Sequence, residues 1–459
     1  MEGKIIEPVQ KIYRQLKNAG FETYLVGGCV RNLLMDRKVL DWDITTAASP
    51  EKIQTLFPNS FYDNSFGTVG VPFETDESLS EKKYAEVTTF RTESTYEDFR
   101  HPLDVAWGKS LKEDVTRRDF TVNALAIELN EDLSYKLIDL VDGKKDLDSK
   151  IIRAVGIADD RFKEDALRLM RAVRFAAQLD FSIEETTLQA LKENYQLITH
   201  VSNERIRDEL FKILASENAF KGIEMLNNLG ILDLVFPELA RGKGISQERP
   251  GRHHTTDVFT HNIQSLKHCP SDDPLVKLST LLHDVGKPYV QATDEDGYVI
   301  FYNHEVVGSK VAKEIAERLR LSKKEKEKMY TLIRWHMFTV DEHITDSAIR
   351  RFIRRVGVEN VKDIIDLRIG DRLGGGTQQA ESWRLKNFKE RLEEQLHPPF
   401  SINDLLIDGN DIMKLLDLTP GPKVGEVLKT LFVEVDEDLE RNNKEFLEKR
   451  AREIGEFLK

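Results

Sequence analysis

The sequence predicts an α+β protein: a mixed α/β head followed by an all-helical neck, body and tail. Three observations carry this expectation. Short β-branched or alternating runs, "TYLVGG", "DWDITTA", "TVGVPFE", "AEVTTFR" and "FTVNALAIEL", are confined to residues 1–140. From about residue 140 apolar residues recur at helical spacing almost without interruption, apart from a hairpin-like "DEDGYVIFYN" at 294–303. At 459 residues the chain is also too long for a single hydrophobic core.

Taken in order, "MEGKIIEPVQKIYRQLKNAG" reads as an amphipathic helix ending at Gly20, not as a signal peptide. Pattern breaks near "DGKKDLDSK", "FPELARGKGISQERPGRHH" and "RLGGGTQQAESW" place the segments at 1–140, 141–235, 236–375 and 376–459. No repeat of 20–50 residues is evident. The composition, 40% hydrophobic and 32% charged, is that of an ordinary globular protein. No apolar run reaches the roughly 18 residues that cross a bilayer, so no membrane partner is expected. Only Cys29 and Cys269 are present, which excludes a disulfide framework and makes the cytoplasm the simplest location. The net charge of −13 argues against indiscriminate nucleic-acid binding. Local basic clusters such as "RFKEDALRLMRAVRF" and "RRFIRRVG" still permit an RNA track on selected faces.

The stretch "YLVGGCVRNLLMDRKVLDWDITTA" carries the first chemical signal. On a strand Asp41 and Asp43 point the same way, and two carboxylates that close need a cation between them. Hard oxygen ligands suit Mg²⁺, which also binds substrate phosphates. Gly27 and Gly28 let backbone amides approach a phosphate, and Arg31 can neutralise it. Neither GxGxxG nor GxxxxGK[ST] occurs in this turn, which excludes a dinucleotide fold and a Walker loop. A lone acidic pair is more often a solvated strand end; a second cluster changes that balance. "TRRDFTVNALAIEL" sets Arg117, Arg118 and Asp119 at the mouth of another strand. Arginine forks grip triphosphate oxygens, and Asp119 and Asn123 can hydrogen-bond a ribose.

Together, "VGGCVRN…DWDI", "EVTTFR", "YEDFRHP", "RRDFTVNALA" and "RFKEDALRLMRAVRF", in this order, resemble the class II tRNA nucleotidyltransferase family. That family includes CCA-adding enzymes, separate CC- and A-adding enzymes, and bacterial poly(A) polymerases. The resemblance is strong over residues 20–240 and weaker toward the C-terminus. It implies a nucleotidyltransferase-type head in which Asp41 and Asp43 hold Mg²⁺, with Glu86 as a third carboxylate, while Gly28, Arg31 and Arg118 contact the triphosphate. It also implies that the neck chooses the base. Placed on one helix, Asp165 and Arg168 would be neighbours, with Arg171 and Arg174 continuing the stripe. The carboxylate would accept from the amino group of cytosine or adenine and the guanidinium would donate to the ring nitrogen. The implied partners are therefore tRNA, CTP and ATP.

"TYEDFRHPLDV" at 95–105 resembles the family's flexible loop, which counts against a CC-only enzyme. Two residues depart from the family pattern: Phe99 stands where glycine is usual and Asn32 where aspartate is usual. "SNERIRDELFKIL" matches a later neck helix, in which Glu204 and Arg207 read as structural braces.

His261, His283–Asp284, His304, His336 and Asp371 occur in the order typical of the HD phosphohydrolase superfamily. Imidazoles with carboxylates suit a transition metal that activates water. A retained scaffold that cradles tRNA is the competing reading, and the tail reads as tRNA-binding support. The functional expectation is a CCA-adding enzyme, with an A-adding enzyme, a poly(A) polymerase and an HD-domain phosphohydrolase as the alternatives. The polymerase subgroup's basic segment after the acidic pair is not present in "FYDNSFGTVGVPFE".

Overall fold

A computed structural model describes residues 5–63, 67–74, 83–91, 108, 110–130, 134–247, 256–341, 343–377, 382–396 and 401–457. The loop at 95–105, with Phe99, lies outside the described residues. The chain divides into two units, Met1–Ala240 with Arg318–Arg320, and Arg241–Glu317 with Leu321–Lys459.

The first unit opens with α1 (Glu7–Asn18), whose Val9, Ile12, Tyr13 and Leu16 form a buried stripe at helical spacing. The Tyr13 hydroxyl accepts from the Leu129 backbone N–H and so fixes α1 to the sheet. Seven strands form that sheet: β1 (Thr23–Val26), β2 (Trp42–Thr46), β3 (Phe61–Asp63), β4 (Thr68–Phe73), β5 (Lys83–Thr89), β6 (Ala126–Leu129) and β7 (Tyr135–Ile138). Their order is β3-β4-β5-β2-β1-β6-β7, antiparallel throughout except for the parallel β2–β5 pair at the centre. Between the strands lie α2 (Gly28–Leu34), α3 (Pro50–Leu56) and α4 (Leu111–Thr116).

The α+β expectation holds, with three local differences. The edge strands β3 and β7 are too short and too exposed to show an alternating pattern. "FTVNALAIEL" is a strand only from Ala126, because Thr121–Asn123 forms a 3₁₀ turn. There the Asp119 carboxylate accepts from the Phe120 N–H and the Asn123 amide, which draws the backbone out of an extended path.

The third difference concerns the stretch "RFKEDALRLMRAVRF". After α5 (Gly143–Asp148) and β8 (Ile151–Ile152), α6 spans Ala158–Glu164 and α7 begins afresh at Arg168, running to Leu179. Asp165 is extended (φ −141°, ψ 102°), and its side chain accepts from the Leu167 N–H at 3.1 Å. This aspartate turn breaks the helix, so Asp165 and Arg168 do not share one helical face as the spacing predicted. β9 (Ser182–Ile183) pairs with β8, and α8 (Glu185–Asn194), α9 (Asn203–Leu214), α10 (Ala219–Asn228), α11 (Ile231–Val235) and α12 (Pro237–Ala240) complete the unit.

The second unit is helical: α13 (Val258–His268), α14 (Pro274–Leu282), α15 (Lys287–Val290), α16 (His304–Arg318), α17 (Lys323–Trp335), α18 (Asp346–Val356), α19 (Val361–Gly374) and α20 (Trp383–Glu394). The hairpin expected at 294–303 is present as β10 (Ala292–Thr293) and β11 (Val299–Ile300). Gly370 and Gly374 allow α19 to lie against α13. A Cβ on Gly374 would stand 2.4 Å from the Ser265 hydroxyl, and one on Gly370 2.7 Å from the Ser265 carbonyl oxygen. The last helices, α21 (Gly409–Leu416), α22 (Pro422–Glu437) and α23 (Lys444–Phe457), bury Ile412, Val427, Leu431, Leu447 and Ala451 among themselves. Among the described residues no helix is long and apolar enough to cross a membrane.

In the first unit, α7 and α9 are held by the nearly buried pair Arg174–Glu209, 3.0 Å apart. Glu209→Ala strands a buried guanidinium and is expected to lower unfolding free energy by about 3 kcal/mol, read from urea denaturation.

Candidate active site

The parallel register places Asp43 of β2 beside Glu86 of β5, and Asp41 lies just before β2. All three line one cleft of about 1110 Å³ in the first unit. Burial, followed by the charge of Glu86, pushes the Asp43 carboxyl up to about 7. Three carboxylates crowded in this way fit a divalent cation, which lets all of them stay ionised. The turn before α2 completes this wall. Gly27 has φ +76°, and a Cβ there would lie 2.9 Å from Asp43 Oδ2 and 3.2 Å from Arg118 Nη1. A Cβ on Gly28 meets only ordinary contact, 3.6 Å from Arg31 Nη2.

Guanidinium groups line the same cleft, and those of Arg31, Arg117, Arg118 and Arg171 are each held by a partner. Asp114, fully buried, pairs with Arg117 at 2.6 Å and with Arg118 at 2.9 Å. Asp119 pairs with Arg171 at 2.6 Å. Burial would raise the Asp119 carboxyl, but the charges of Arg171 and Arg168 overcome it and bring it down to about 2. Arg31 donates to Asn123 Oδ1 and, at 3.0 and 3.2 Å, to Asn32 Oδ1. The amide oxygen of Asn32 thus accepts where a carboxylate was expected. Arg31, Arg171 and Arg174 lie 5.3, 5.4 and 4.2 Å from the centre of the Phe175 ring. Burial and neighbouring arginines bring Arg31 and Arg174 each down to about 10, so both stay charged near neutrality.

Asp165 and Arg168 line the same cleft but have different partners. Arg205 Nη2 donates to Asp165 Oδ2 at 2.8 Å, whereas Arg168 donates to Glu164 at 2.8 Å and to the Arg117 carbonyl at 3.0 Å. Sequence reasoning reached Glu204 and Arg207 on α9 and missed Arg205, which with Lys212 lines the cleft from that helix. It also missed Asp114, Glu209 and Phe175. Asp114 was legible in principle, since it precedes Arg117 and Arg118 by three and four residues in a helical stretch.

In the second unit the six expected residues converge. His261 Nε2 and His283 Nε2 are 3.2 Å apart, and His304 Nε2 and His336 Nε2 are 3.4 Å apart. Asp371 Oδ1 lies 3.2 Å from His261 Nε2, while Asp284 lies 3.3 Å from His283 and 3.2 Å from His304 through its two oxygens. The Nδ1 atoms of His283, His304 and His336 each donate to the carbonyl three residues earlier, at 2.8, 2.8 and 2.7 Å. That arrangement leaves Nε2 as the inward lone pair, the tautomer a metal requires. His261, His283 and Asp371 form one candidate ligand group and His283, Asp284 and His336 another. Despite burial, Asp371 is held well below the usual carboxylate range chiefly by the hydrogen bond from His261, and Asp284 by neighbouring positive charge. Lys287, one turn after Asp284, supplies part of it. A buried pair of carboxylates that gathers positive charge fits a cation.

The class of protein is set by these parts in sequence. Residues 23–153 match the family model described as "Poly A polymerase head domain", 180–242 the "Probable RNA and SrmB- binding site of polymerase A", and 253–373 the "HD domain". The A-adding tRNA nucleotidyltransferase of Deinococcus radiodurans is 34% identical over 427 residues, covering 89% of this chain and 90% of that protein. This chain belongs to the tRNA nucleotidyltransferase family. The CCA-adding enzyme of Lactobacillus delbrueckii subsp. bulgaricus is 46% identical over 270 residues, 59% of this chain; that match spans 62% of the relative's length. The crystal structure of the Bacillus stearothermophilus CCA-adding enzyme in complex with CTP matches 99% of both chains, with a TM-score of 0.67 and 26% identity. A nucleotidyltransferase head implies a divalent metal, and the acidic wall of the cleft is the place that fits one.

Gly27→Ala is expected to lower stability by about 2 kcal/mol, from the left-handed backbone and the displaced Asp43 carboxylate. Gly28→Ala should stay within about 0.5 kcal/mol of the parent. Parallel denaturation curves of the two variants check the contrast.

Proposed function

We propose that this chain is a CCA-adding tRNA nucleotidyltransferase, which adds C, C and A to the tRNA 3′ end from CTP and ATP without a nucleic-acid template. The observation that carries this reading is the side-by-side placement of Asp43 and Glu86, with Asp41, in one cleft with a set of fixed guanidinium groups. In this reading residues 1–140 are the head, 141–235 the neck, 236–375 the body and 376–459 the tail that supports tRNA, and the enzyme works in the cytoplasm, where its substrates are.

Asp41, Asp43 and Glu86 would hold Mg²⁺, which when bound supplies positive charge to the attacking and leaving oxygens of phosphoryl transfer. The protein's own groups do the rest. Gly27 and Gly28 give the triphosphate access to the backbone. Arg31, Arg118, Arg171 and Arg174 bind its oxygens, already oriented by Asn123, Asp114, Asp119 and Glu209. Asp119 and Asn123 therefore serve the guanidiniums first, and contact with the ribose is secondary. Asp165 accepts from the exocyclic amine of cytosine or adenine, and Arg168 donates to the ring. Uracil and guanine present a carbonyl at that place, lone pair against lone pair, and are refused by roughly 10⁴-fold.

Transcripts lacking CCA, ending in C or ending in CC, each incubated with Mg²⁺ and CTP, ATP, both, or UTP and GTP, test the reading when the 3′ ends are sequenced. The expected product is CCA on the bare transcript, with UTP and GTP refused. Addition of a single A to the CC-ended transcript alone makes the chain an A-adding enzyme, the alternative favoured by the near full-length Deinococcus relative. Long A tracts make it a poly(A) polymerase. Asp41→Ala is expected to lower addition by about 10³-fold in the same assay.

A second reading concerns the body, where His261, His283, Asp284, His304, His336 and Asp371 would bind a transition metal able to activate water for phosphoester hydrolysis. The inward Nε2 atoms support it. Elemental analysis of the purified protein is expected to find a transition metal that Asp284→Ala removes; equal, near-zero metal in both proteins would leave the body as a scaffold.

A further inference from the structure

The second unit contains a cavity of about 470 Å³ that the functions proposed above do not use. Its lining includes Trp383 and Arg384 at the start of α20, Arg368 and Arg372 on α19, and Met337 and Val340 just after α17. Two features mark it as more than a packing defect. Large apolar side chains stand open to solvent at its rim, Trp383 being 58% and Met337 55% exposed. Its charge is also one-sided: among the described residues the lining carries three arginines and no carboxylate, in a protein whose net charge is −13.

The arginines differ in how far they are committed. Arg368 donates to Asp371 Oδ2 at 3.0 Å, which ties the cavity to the histidine–aspartate cluster. Arg372 has a buried Nε with no hydrogen-bond partner among the described residues. A buried donor left unpaired costs free energy, and an anionic ligand would satisfy it. Arg384 lies against Trp383, with its guanidinium carbon 5.6 Å from the indole centre. An exposed indole offers a π-face for an aromatic ring, and the guanidinium forks offer paired donors for phosphate oxygens.

We infer that this cavity binds a mononucleotide, with the base stacked on Trp383 and the phosphate taken by Arg372 and Arg384. The volume falls in the range of small-ligand pockets, which suits a single nucleotide rather than a polymer. Arg368 places the phosphate end of the cavity beside Asp371. The inference concerns binding and stands independently of whether the cluster hydrolyses anything.

Calorimetric titration of the full-length protein with adenosine 5′-monophosphate tests it, with the first-unit cleft disabled by the paired substitutions Arg31→Gln and Arg118→Gln. One site is expected to remain under those conditions. Adenosine alone and inorganic phosphate alone should each bind at least tenfold more weakly. Trp383→Ala and Arg372→Met should each weaken the nucleotide by about tenfold or more, and Trp383→Phe should retain most of the affinity. No residual binding with the cleft disabled overturns the inference, and so does binding indifferent to both variants. A short single-stranded RNA that binds tenfold tighter than the mononucleotide also overturns it, because the occupant is then RNA. Failure of the wild-type protein to extend tRNA would sink the proposed activity and leave this titration intact.

Discussion

The first unit depends on one pairing, the parallel contact of β2 with β5 at the centre of an otherwise antiparallel sheet. In a parallel pair, residues in register point to the same face. Asp43 and Glu86 therefore cannot avoid one another, and slipping the register by one residue would turn one of them away from the cleft and into the core. The hydrophobic partners in the same strands enforce that register: Ile44 lies opposite Val87, and both are almost fully buried. Burial of apolar neighbours thus holds two carboxylates at a separation that their own charges oppose. The Asp43 carboxyl, pushed up to about 7 first by burial and then by the charge of Glu86, registers the cost of that arrangement.

The arginines of the cleft solve the opposite problem. Several guanidinium groups share a small volume, and each is fixed by a group that belongs to the protein: Arg118 by Asp114, Arg171 by Asp119, Arg174 by Glu209, Arg31 by Asn32 and Asn123. Long side chains that would otherwise lose rotamer freedom on binding an anion have already lost it on folding. Phe175, with three guanidiniums around its ring, gives them a surface to lie against without neutralising any of them. Preorganised charge of this kind is what transfer of a phosphoryl group draws on most.

Much of this was legible in the sequence because it is local. The acidic pair, the double glycine and the arginine pair are each contiguous, and strand or helix periodicity sufficed to place them. Partners from distant segments were not legible. No spacing rule brings Arg205 to Asp165, forty residues away, or Glu209 to Arg174. The break at Asp165 was hidden for a different reason. The apolar period runs through "EDALRLM" as if the helix were continuous, and only the side chain's bond to the Leu167 N–H interrupts it. In the body the histidines were found by order alone. The approach of α13 and α19, which Gly370 and Gly374 make possible, brings His261 to Asp371.

An acidic chain with a proposed RNA substrate needs its positive charge to be local. A net charge of −13 repels a polyanion over most of the surface, and at physiological salt that repulsion fades within about 8 Å. Attraction then survives only where cations are concentrated, as in the arginine wall of the first-unit cleft. The surrounding acid suppresses indiscriminate association, while the cleft retains its pull on a triphosphate or a 3′ end that can enter it. On this argument the overall charge is part of the selectivity: a uniformly basic version of the same fold would bind more RNA and discriminate less among its ends.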